Sequence, residues 1–225
     1  MESAGEPKAE LFEQFARVGK ALASPKRLEI IDILAQGERS VEAVAQASGL
    51  KMTTASAHLQ ALRAGGLVRI RKEGTRIYYR LSSDAVAMLF MAVRQVADLH
   101  LAETRRAAES YLGSDEVTPV GRDELLDRAR AGDVVVLDVR PKTEFDAGHI
   151  DGAVSIPLED LYDHLAQLPT GLDVVAYCRG EYCVLAFEAV RMLRSHGVRA
   201  RRLRGGMLEW RAERRPTATA QAAPV

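Results

Sequence analysis

Residues 173–195 have the sequence DVVAYCRGEYCVLAFEAVRMLRS, which decides the fold of the second half of the chain. Residues 173–178 form a short, nearly continuous apolar run, as buried parallel strands do. A turn from Cys178 to Cys183 follows, and apolar residues then recur at helical spacing. A second such run, VVVLDV at 134–139, also precedes helical sequence. This alternation predicts an α/β domain with helices packed on a central parallel sheet.

The sequence before this region is mainly helical in pattern. Apolar spacing and capping residues predict, in chain order, helices at 9–22, 26–36, 41–48 and 50–66, a hairpin at 67–82 and one long helix at 84–112. The hairpin prediction rests on apolar–polar alternation on both sides of Glu73-Gly74, a good tight-turn pair. This order is that of a winged helix-turn-helix.

Composition changes divide the chain into two domains. We predict a mainly helical domain at 1–112, a polar linker at 113–119 (GSDEVTP), the α/β domain at 120–215 and a disordered tail at 216–225. At 225 residues the chain is long enough for two small cores.

Composition also sets expectations about location. No apolar run approaches the ~18 residues that a membrane span needs, and the acidic N-terminal stretch lacks the pattern of a secretory signal. The two cysteines lie in one short loop and do not make a disulfide framework. We therefore expect a cytoplasmic protein with no membrane partner.

Residues 40–82 carry the first family resemblance. The stretch SVEAVAQASGLKMTTASAHLQALRAGGLVRIRKEGTRIYYRLS resembles the ArsR-type family of bacterial repressors. The resemblance implies a DNA-binding winged helix and a homodimer formed through the first and last helices, for which Phe12, Phe15, Leu89, Phe90, Val93 and Val96 are candidates. A two-fold dimer predicts a double-stranded operator with an inverted repeat.

The predicted DNA contacts lie on the second helix of the helix-turn-helix and on the wing. Residues 51–80 contain seven basic residues against Glu73 alone, a patch that attracts phosphate. The candidates that contact bases or phosphates are Lys51, Thr53, Thr54, Ser56, His58 and Gln60 on the helix and Arg71, Lys72 and Arg76 on the wing. The alternative is an exposed polar helix in a dimerisation module that has lost DNA binding.

Many ArsR-type proteins sense metals, and the known metal positions are incomplete here. Ser40-Val41-Glu42 stands where arsenic-responding members have two cysteines. Asp98 and His100 match half of a second site, whose remaining positions fall on Tyr111 and Ser114. Tetrahedral zinc needs four ligands. We therefore expect no metal and no cofactor, and the sensor role passes to the second domain.

Three ordered stretches carry the second resemblance. The stretches 137–157 (LDVRPKTEFDAGHIDGAVSIP), 177–183 (YCRGEYC) and 203–210 (LRGGMLEW) resemble the signatures of the rhodanese family. The resemblance implies that Cys178 is a sulfur-accepting nucleophile in an active-site loop. Backbone N–H groups and a helix N-terminus would lower the pKa of its thiol.

The resemblance also assigns the neighbouring residues. The predicted catalytic set is Cys178, Cys183, Arg179, Asp138 and Arg140, and the predicted anion-binding set is Arg179, Gly180, Glu181, Tyr182 and Cys183. Asp138 and Arg140 are expected to form a supporting ion pair. His149 is either a base or a structural residue, with the structural role favoured, and Trp210 is expected in the core.

Cys183 departs from the usual rhodanese loop, where Ser, Thr or Arg often occupies the sixth position. A second thiol could resolve a persulfide or sulfenate on Cys178 into a di- or polysulfide. It could equally be a small buried apolar residue at a helix start. Both interpretations stay open at this point.

Together these features predict a DNA-binding transcriptional regulator, and a repressor in particular. It would sense sulfane sulfur or another thiol-reactive species through the cysteine loop. The alternative is a thiosulfate or polysulfide sulfurtransferase with an accessory DNA-binding domain. A third possibility is a sensor of peroxide or arsenic species that uses the same thiols. All of these begin with attack by one thiolate, so the sequence does not separate them.

Overall fold

The structure is a computed structural model, and it describes residues 6–113, 117–169 and 171–219. The chain divides into two compact units, Met1–Arg94 and Gln95–Val225. The predicted boundary was at residue 112, so the packing places the division earlier in the chain. Winged-helix and parallel-sheet elements occur in the order that the sequence predicted.

The N-terminal unit contains four helices before its hairpin. They are α1 (Glu6–Leu22), α2 (Pro25–Ala35), α3 (Val41–Ala47) and α4 (Met52–Ala64). Ser40 caps α3 by accepting a hydrogen bond from the N–H of Ala43 at 3.3 Å. Pro25 starts α2 at its first turn, where its fixed φ and missing N–H are tolerated.

A small antiparallel sheet forms the wing. Strands β1 (Arg39–Ser40), β2 (Val68–Glu73) and β3 (Arg76–Leu81) lie in the order β1-β3-β2. Gly74 has φ 58°, the left-handed conformation that a tight hairpin turn requires. The predicted hairpin is confirmed, and the sheet adds a short third strand.

The core of this unit lies between α2, α3 and α4. Ile30 and Ile31 of α2 are fully buried, as are Leu59 and Leu62 of α4. The spacing of the α4 residues places them on one face, which leaves the opposite face for other contacts.

The predicted long helix at 84–112 is wrong as a single element. It is broken into α5 (Asp84–His100) and α6 (Ala102–Leu112). Leu101 has φ −114° and ψ 103°, an extended conformation that ends the helical hydrogen-bond pattern. Among the residues that the structure describes, no single helix is long and apolar enough to cross a membrane, although α5 and α6 together meet those criteria as a bent pair.

The C-terminal unit is built on a four-stranded parallel sheet. Its strands β4 (Val134–Asp138), β6 (Val154–Ser155), β7 (Asp173–Tyr177) and β8 (Ala200–Arg202) lie in the order β6-β4-β7-β8. The two apolar runs identified in the sequence, β4 and β7, are neighbours at its centre. The predicted parallel sheet is therefore confirmed.

Helices cover both faces of this sheet. The helices are α7 (Arg122–Ala131), α8 (Lys142–Ala147), α9 (Leu161–His164), α10 (Val184–Ser195) and α11 (Met207–Ala212). One core packs α9 and α10 against the sheet, with Leu161 and Leu193 fully buried. The other packs α7 and α11, with Trp210 fully buried as expected.

The predicted disordered tail is wrong for its first residues. Strand β9 (Thr217–Ala218) pairs antiparallel with β5 (His149–Ile150). The indole N–H of Trp210 donates to the carbonyl of Pro216 at 2.8 Å, which holds the segment against α11. Residues 220–225 of the predicted tail and 114–116 of the predicted linker lie outside the described residues.

Candidate functional site

The cysteine loop occupies the turn between β7 and α10. Cys178 directly follows β7 and is 1 % exposed, and Cys183 is the N-cap residue of α10. This is the strand–turn–helix arrangement that the sequence predicted. Both thiols are free, and the Cys178 thiol donates to the carbonyl of Cys183 at 3.2 Å.

The start of α11 holds the base of this loop. The N–H groups of Met207 and Leu208 donate to the carbonyls of Cys178 and Arg179, each at 2.9 Å. A Cβ added to Gly206 would lie 2.5 Å from the Cys178 carbonyl oxygen and 2.6 Å from the Gly180 nitrogen. Only glycine fits this close approach, so the closing Gly-Gly signature has a direct structural reason.

The two thiols influence each other's pKa in opposite directions. Burial raises the pKa of the Cys178 thiol well above its ordinary value, and the contact with Cys183 adds to this effect. A hydrogen bond from Cys178 lowers the pKa of Cys183, helped by the N–H and the charge of Arg179. The sequence had predicted the lowered pKa at Cys178. In the reduced pair the negative charge therefore forms on Cys183.

The backbone N–H groups around Cys178 differ from the predicted set. Those of Gly180 and Ala186 hydrogen bond to the Cys178 sulfur. The N–H of Glu181 donates to the Glu209 carboxylate at 3.5 Å, and that of Cys183 donates to the Gly180 carbonyl at 3.1 Å. The N–H of Ala186 was missed, although the first N–H groups of a helix lack intrahelical partners and are available to an anion.

Arg179 is committed to a buried carboxylate. Its guanidinium donates to both carboxylate oxygens of Glu144, with Nη2 at 2.7 Å from Oε1 and Nε at 3.0 Å from Oε2. Glu144 is 3 % exposed, and a buried carboxylate needs such a counter-charge. Direct binding of an external anion by Arg179 was predicted; in this structure it would have to compete with Glu144.

The predicted Asp138–Arg140 ion pair is present beneath the loop. Both side chains are fully buried, and Nη2 of Arg140 lies 2.6 Å from Oδ2 of Asp138. Arg140 also donates to the carbonyl of Gly148 at 2.9 Å. These contacts fix the segment after β4, so the pair supports the fold.

His149 has the contacts of a structural residue. Its Nδ1 lies 2.9 Å from the carbonyl of Phe145, and the two rings stack with centroids 3.6 Å apart. The side chain is 8 % exposed. The interpretation that His149 secures the turn is the one these contacts favour.

The predicted recognition helix α4 presents a polar surface. Lys51, Thr53, Thr54 and Gln60 are exposed, and Ser56 and His58 are half-buried. Lys51 is the N-cap residue of α4, with no capping bond from its side chain. The early residues of α4 are therefore free to contact groups outside the chain, as a helix in the major groove must.

The wing residues divide into two kinds. Arg71 is bound by two carboxylates, with Nε 2.8 Å from Glu38 and Nη1 2.6 Å from Glu73. These carboxylates raise the pKa of Arg71 and neutralise its charge locally. Lys72 and Arg76 are exposed on the same hairpin. Of the three predicted wing contacts, these two are the better placed for phosphate.

Helices α1 and α5 each carry exposed apolar side chains. Phe12 and Phe15 are 57 % and 58 % exposed, and Val93 is 36 % exposed. Met88, which the sequence interpretation had omitted, is 52 % exposed. Phe90 is buried within the unit, so it is not a candidate for an external contact.

Asp98 and Ser114 are two positions of the incomplete zinc motif. Oδ1 of Asp98 accepts a hydrogen bond from Tyr182 at 2.6 Å. Ser114 lies outside the described residues. In the described part of the chain there is no group of three or more His, Cys, Asp or Glu side chains that could hold a metal ion.

Comparison with known proteins supports the assignment of both domains. The family of the rhodanese-like domain matches residues 121–213, and a family described as a helix-turn-helix domain matches residues 22–71. The HTH-type transcriptional regulator Rv0324 of Mycobacterium tuberculosis is 57% identical over 204 residues, which cover 91% of this chain and 90% of that protein. The chain belongs to this family of HTH-type transcriptional regulators and carries a rhodanese-like domain.

Shorter relatives of this regulator match its N-terminal half. The nodulation protein NolR of Rhizobium meliloti is 43% identical over 76 residues, covering 34% of this chain and 62% of that protein. A solved homodimeric winged helix-turn-helix domain from a possible ArsR-family regulator of Mycobacterium bovis is 58% identical. It covers 46% of this chain and 95% of its own, with a TM-score of 0.42.

Proposed function

We propose that this regulator is a homodimeric, cytoplasmic repressor that senses sulfane sulfur through Cys178 and Cys183. The observation that carries the proposal is the thiol pair itself. Both cysteines are free, and the Cys178 thiol donates to the carbonyl of Cys183 at 3.2 Å, in a chain that also carries a helix-turn-helix domain. A pair of adjacent thiols suits a reversible switch. The second thiol can convert a persulfide on the first into an intramolecular disulfide, which thiol exchange can reduce again.

The first chemical step forms a persulfide on Cys178. Its sulfur attacks the terminal sulfur of a polysulfide, and its proton passes to the Cys183 thiolate, which acts as the base. The S–S bond behind the attacked sulfur breaks, and the shortened polysulfide leaves with the electron pair. The N–H groups of Gly180 and Ala186 stabilise the anionic product.

The second step converts the persulfide into a disulfide. Cys183 passes its proton to the outer persulfide sulfur, and its thiolate then attacks the sulfur atom of Cys178. The S–S bond of the persulfide breaks, and hydrosulfide leaves with the electron pair. Two thiols are thus oxidised, and one sulfane sulfur is reduced to sulfide. The position of the first thiol supports this step, because the Cys178 sulfur already lies 3.2 Å from the carbonyl oxygen of Cys183. We therefore propose that Cys183 is the resolving thiol.

The DNA-binding role is assigned to α4 and the wing. Exposed Lys51, Thr53, Thr54 and Gln60 supply hydrogen-bonding groups, and exposed Lys72 and Arg76 supply charge for phosphates. The exposed apolar side chains of α1 and α5 support a dimer, because exposed apolar patches mark sites of association. A two-fold dimer would bind an inverted repeat.

The test measures affinity for an inverted-repeat DNA that is selected from random sequence with the reduced protein. The wild type and the Cys178→Ser and Cys183→Ser variants are each measured before and after treatment with inorganic polysulfide. We expect the donor to weaken binding of the wild type by about 5- to 150-fold, the usual range of coupling between sites. Neither variant should respond fully. Cys183→Ser lacks both the base and the resolving thiol, so intact-mass measurements should show a persulfide that forms more slowly than in the wild type but persists.

The sulfurtransferase alternative predicts a different result. DNA affinity would stay constant while the wild type takes up sulfur and passes it repeatedly to cyanide or a thiol. That outcome would replace the sensor function with an enzymatic one. Failure of the reduced protein to select any DNA sequence would remove the regulatory role altogether.

A further inference from the structure

Tyr182 connects the cysteine loop to the last turn of α5. Its hydroxyl donates to Oδ1 of Asp98 at 2.6 Å, across 84 positions of sequence. Both residues belong to the C-terminal unit, which begins at Gln95. A hydroxyl that donates to a carboxylate makes one of the stronger hydrogen bonds available to neutral donors. We call this contact the Tyr182–Asp98 link.

The link borders an open cavity of about 710 Å³. Asp98 and Tyr182 both line it, together with Glu181 of the same loop and Arg105 of α6. Because the space beside the ring is not filled by core side chains, the Tyr182 side chain has room to move when the loop changes. Interiors packed to crystal density do not allow such movement.

We expect oxidation of the thiol pair to move Tyr182. A disulfide places its two sulfurs about 2.05 Å apart with a restricted dihedral angle. In the reduced loop, the Cys178 thiol donates to the carbonyl of Cys183 at 3.2 Å. The N–H of Cys183 donates to the carbonyl of Gly180 at 3.1 Å. Tyr182 directly precedes Cys183, so a rearranged turn changes the position of its hydroxyl.

Helix α5 continues from Asp98 back to Asp84, in the DNA-binding half of the chain. It also carries Val93, one of the exposed apolar residues assigned to the dimer surface. We propose that the Tyr182–Asp98 link transmits the oxidation state of the thiol pair to α5 and thereby to the DNA-binding dimer. This inference rests on the proposed function and identifies the residues through which that function is regulated.

The experiment compares the full-length wild type with the Asp98→Ala and Asp98→Asn variants. Asp98 lies on α5, outside the cysteine loop, so sulfur uptake by the variants can be measured independently of the link. Glu109→Ala is the matched control, because it removes a carboxylate from the same cavity. Each protein is titrated with its selected DNA before and after inorganic polysulfide, and intact mass reports disulfide formation.

We expect Asp98→Ala to form the disulfide as the wild type does while its DNA affinity changes less than about twofold, against the 5- to 150-fold response of the wild type. Asp98→Asn keeps an oxygen acceptor and should retain part of the response, and Glu109→Ala should respond fully. Adding Tyr182→Phe to Asp98→Ala should cause no further change in the response.

Two results would overturn the inference. A full response in Asp98→Ala would show that the signal takes another route, with the sensor function still intact. A wild type that forms the disulfide without any change in DNA affinity would instead remove the sensor function and the link together. Because the first result appears only in the variant, the two failures are distinguishable.

Discussion

The cysteine loop and the wing both depend on charged side chains, but they use them in opposite ways. Around the loop, the charges are paired. Both members of Asp138–Arg140 are buried, and half-buried Arg179 is paired with buried Glu144. On the wing, Lys72 is exposed. Buried pairs hold a geometry in place, since breaking one leaves an uncompensated charge. Exposed cations leave their charge available to a partner such as DNA phosphate.

Arg71 shows that position alone does not decide between these uses. It lies on the wing, yet Glu38 and Glu73 lie 2.7 and 2.6 Å from its guanidinium, distances close to that of the Arg179–Glu144 pair. It also stacks over the ring of Tyr78 at 4.6 Å. Its contacts therefore stabilise the hairpin, and its neighbours on the strand are the ones expected to contact DNA.

The largest expected effect comes from breaking the buried pair under the loop. Asp138→Ala leaves the Arg140 charge unpaired in the core, so the C-terminal unit should lose about 3–5 kcal/mol of unfolding free energy. Urea denaturation measures this. Asp127→Ala is the matched control, because its partner Arg130 is 3.9 Å away and both side chains are exposed. Equal midpoints for the two variants would contradict the structural role of the pair.

A smaller effect is expected from Gly206→Ala. The new Cβ would collide with the backbone of Cys178 and Gly180, so the loop must shift at a cost of about 1–3 kcal/mol. The rate at which the thiols are alkylated at neutral pH should change, because the shift moves the backbone N–H groups that surround the Cys178 sulfur. Gly19→Ala, in α1 with open space around the new Cβ, is the control and should leave alkylation unchanged. Unchanged alkylation in Gly206→Ala would show that this contact does not shape the loop.

On the wing, the expected effect is on salt dependence. Lys72→Ala and Arg76→Ala should each reduce the slope of log affinity against log salt by about 0.9, one phosphate contact each. Arg71→Ala should leave this slope nearly unchanged, because its guanidinium is held by carboxylates. DNA titrations at several salt concentrations measure the slopes. A larger change of slope for Arg71→Ala than for Lys72→Ala and Arg76→Ala would show that Arg71 is the residue that contacts phosphate.

The smallest expected effect is a shift in a pH profile. The hydrogen bond from Cys178 lowers the pKa of Cys183, so the thiolate of Cys183 persists to lower pH than an ordinary thiolate. Cys178→Ala removes that bond, which should raise the pKa of Cys183 and move its alkylation profile to higher pH. The rate at neutral pH should therefore fall. A profile that moves to lower pH would contradict the assignment of the charge to Cys183.

Much of the loop could be predicted from local sequence. The apolar run of β7 and the helical spacing of α10 place Cys178 and Cys183 correctly. Its long-range partners could not be predicted in the same way. Glu144 lies 35 positions from Arg179, and nothing in local spacing selects it as the partner. The sequence predicted a lowered pKa at Cys178, whereas in the structure the pKa of Cys178 is raised and that of Cys183 is lowered. This difference depends on burial, which only the folded chain defines.

Two elements differ from the prediction made from local sequence. The apolar periodicity of 84–112 is continuous, so it does not reveal the break at Leu101. The composition of residues 216–219 predicted a disordered tail, but β9 forms because β5 and the Trp210 indole provide hydrogen-bond partners for it. Tertiary contacts decided the second case against local propensity.

The central claim is that the thiol pair and the DNA surface are energetically coupled, and such coupling must be reciprocal. The most direct measurement is the polysulfide concentration that half-converts the thiol pair to disulfide, with and without saturating selected DNA. Bound DNA should raise this concentration by the same factor by which disulfide formation weakens DNA binding. An identical concentration with and without DNA would contradict the account.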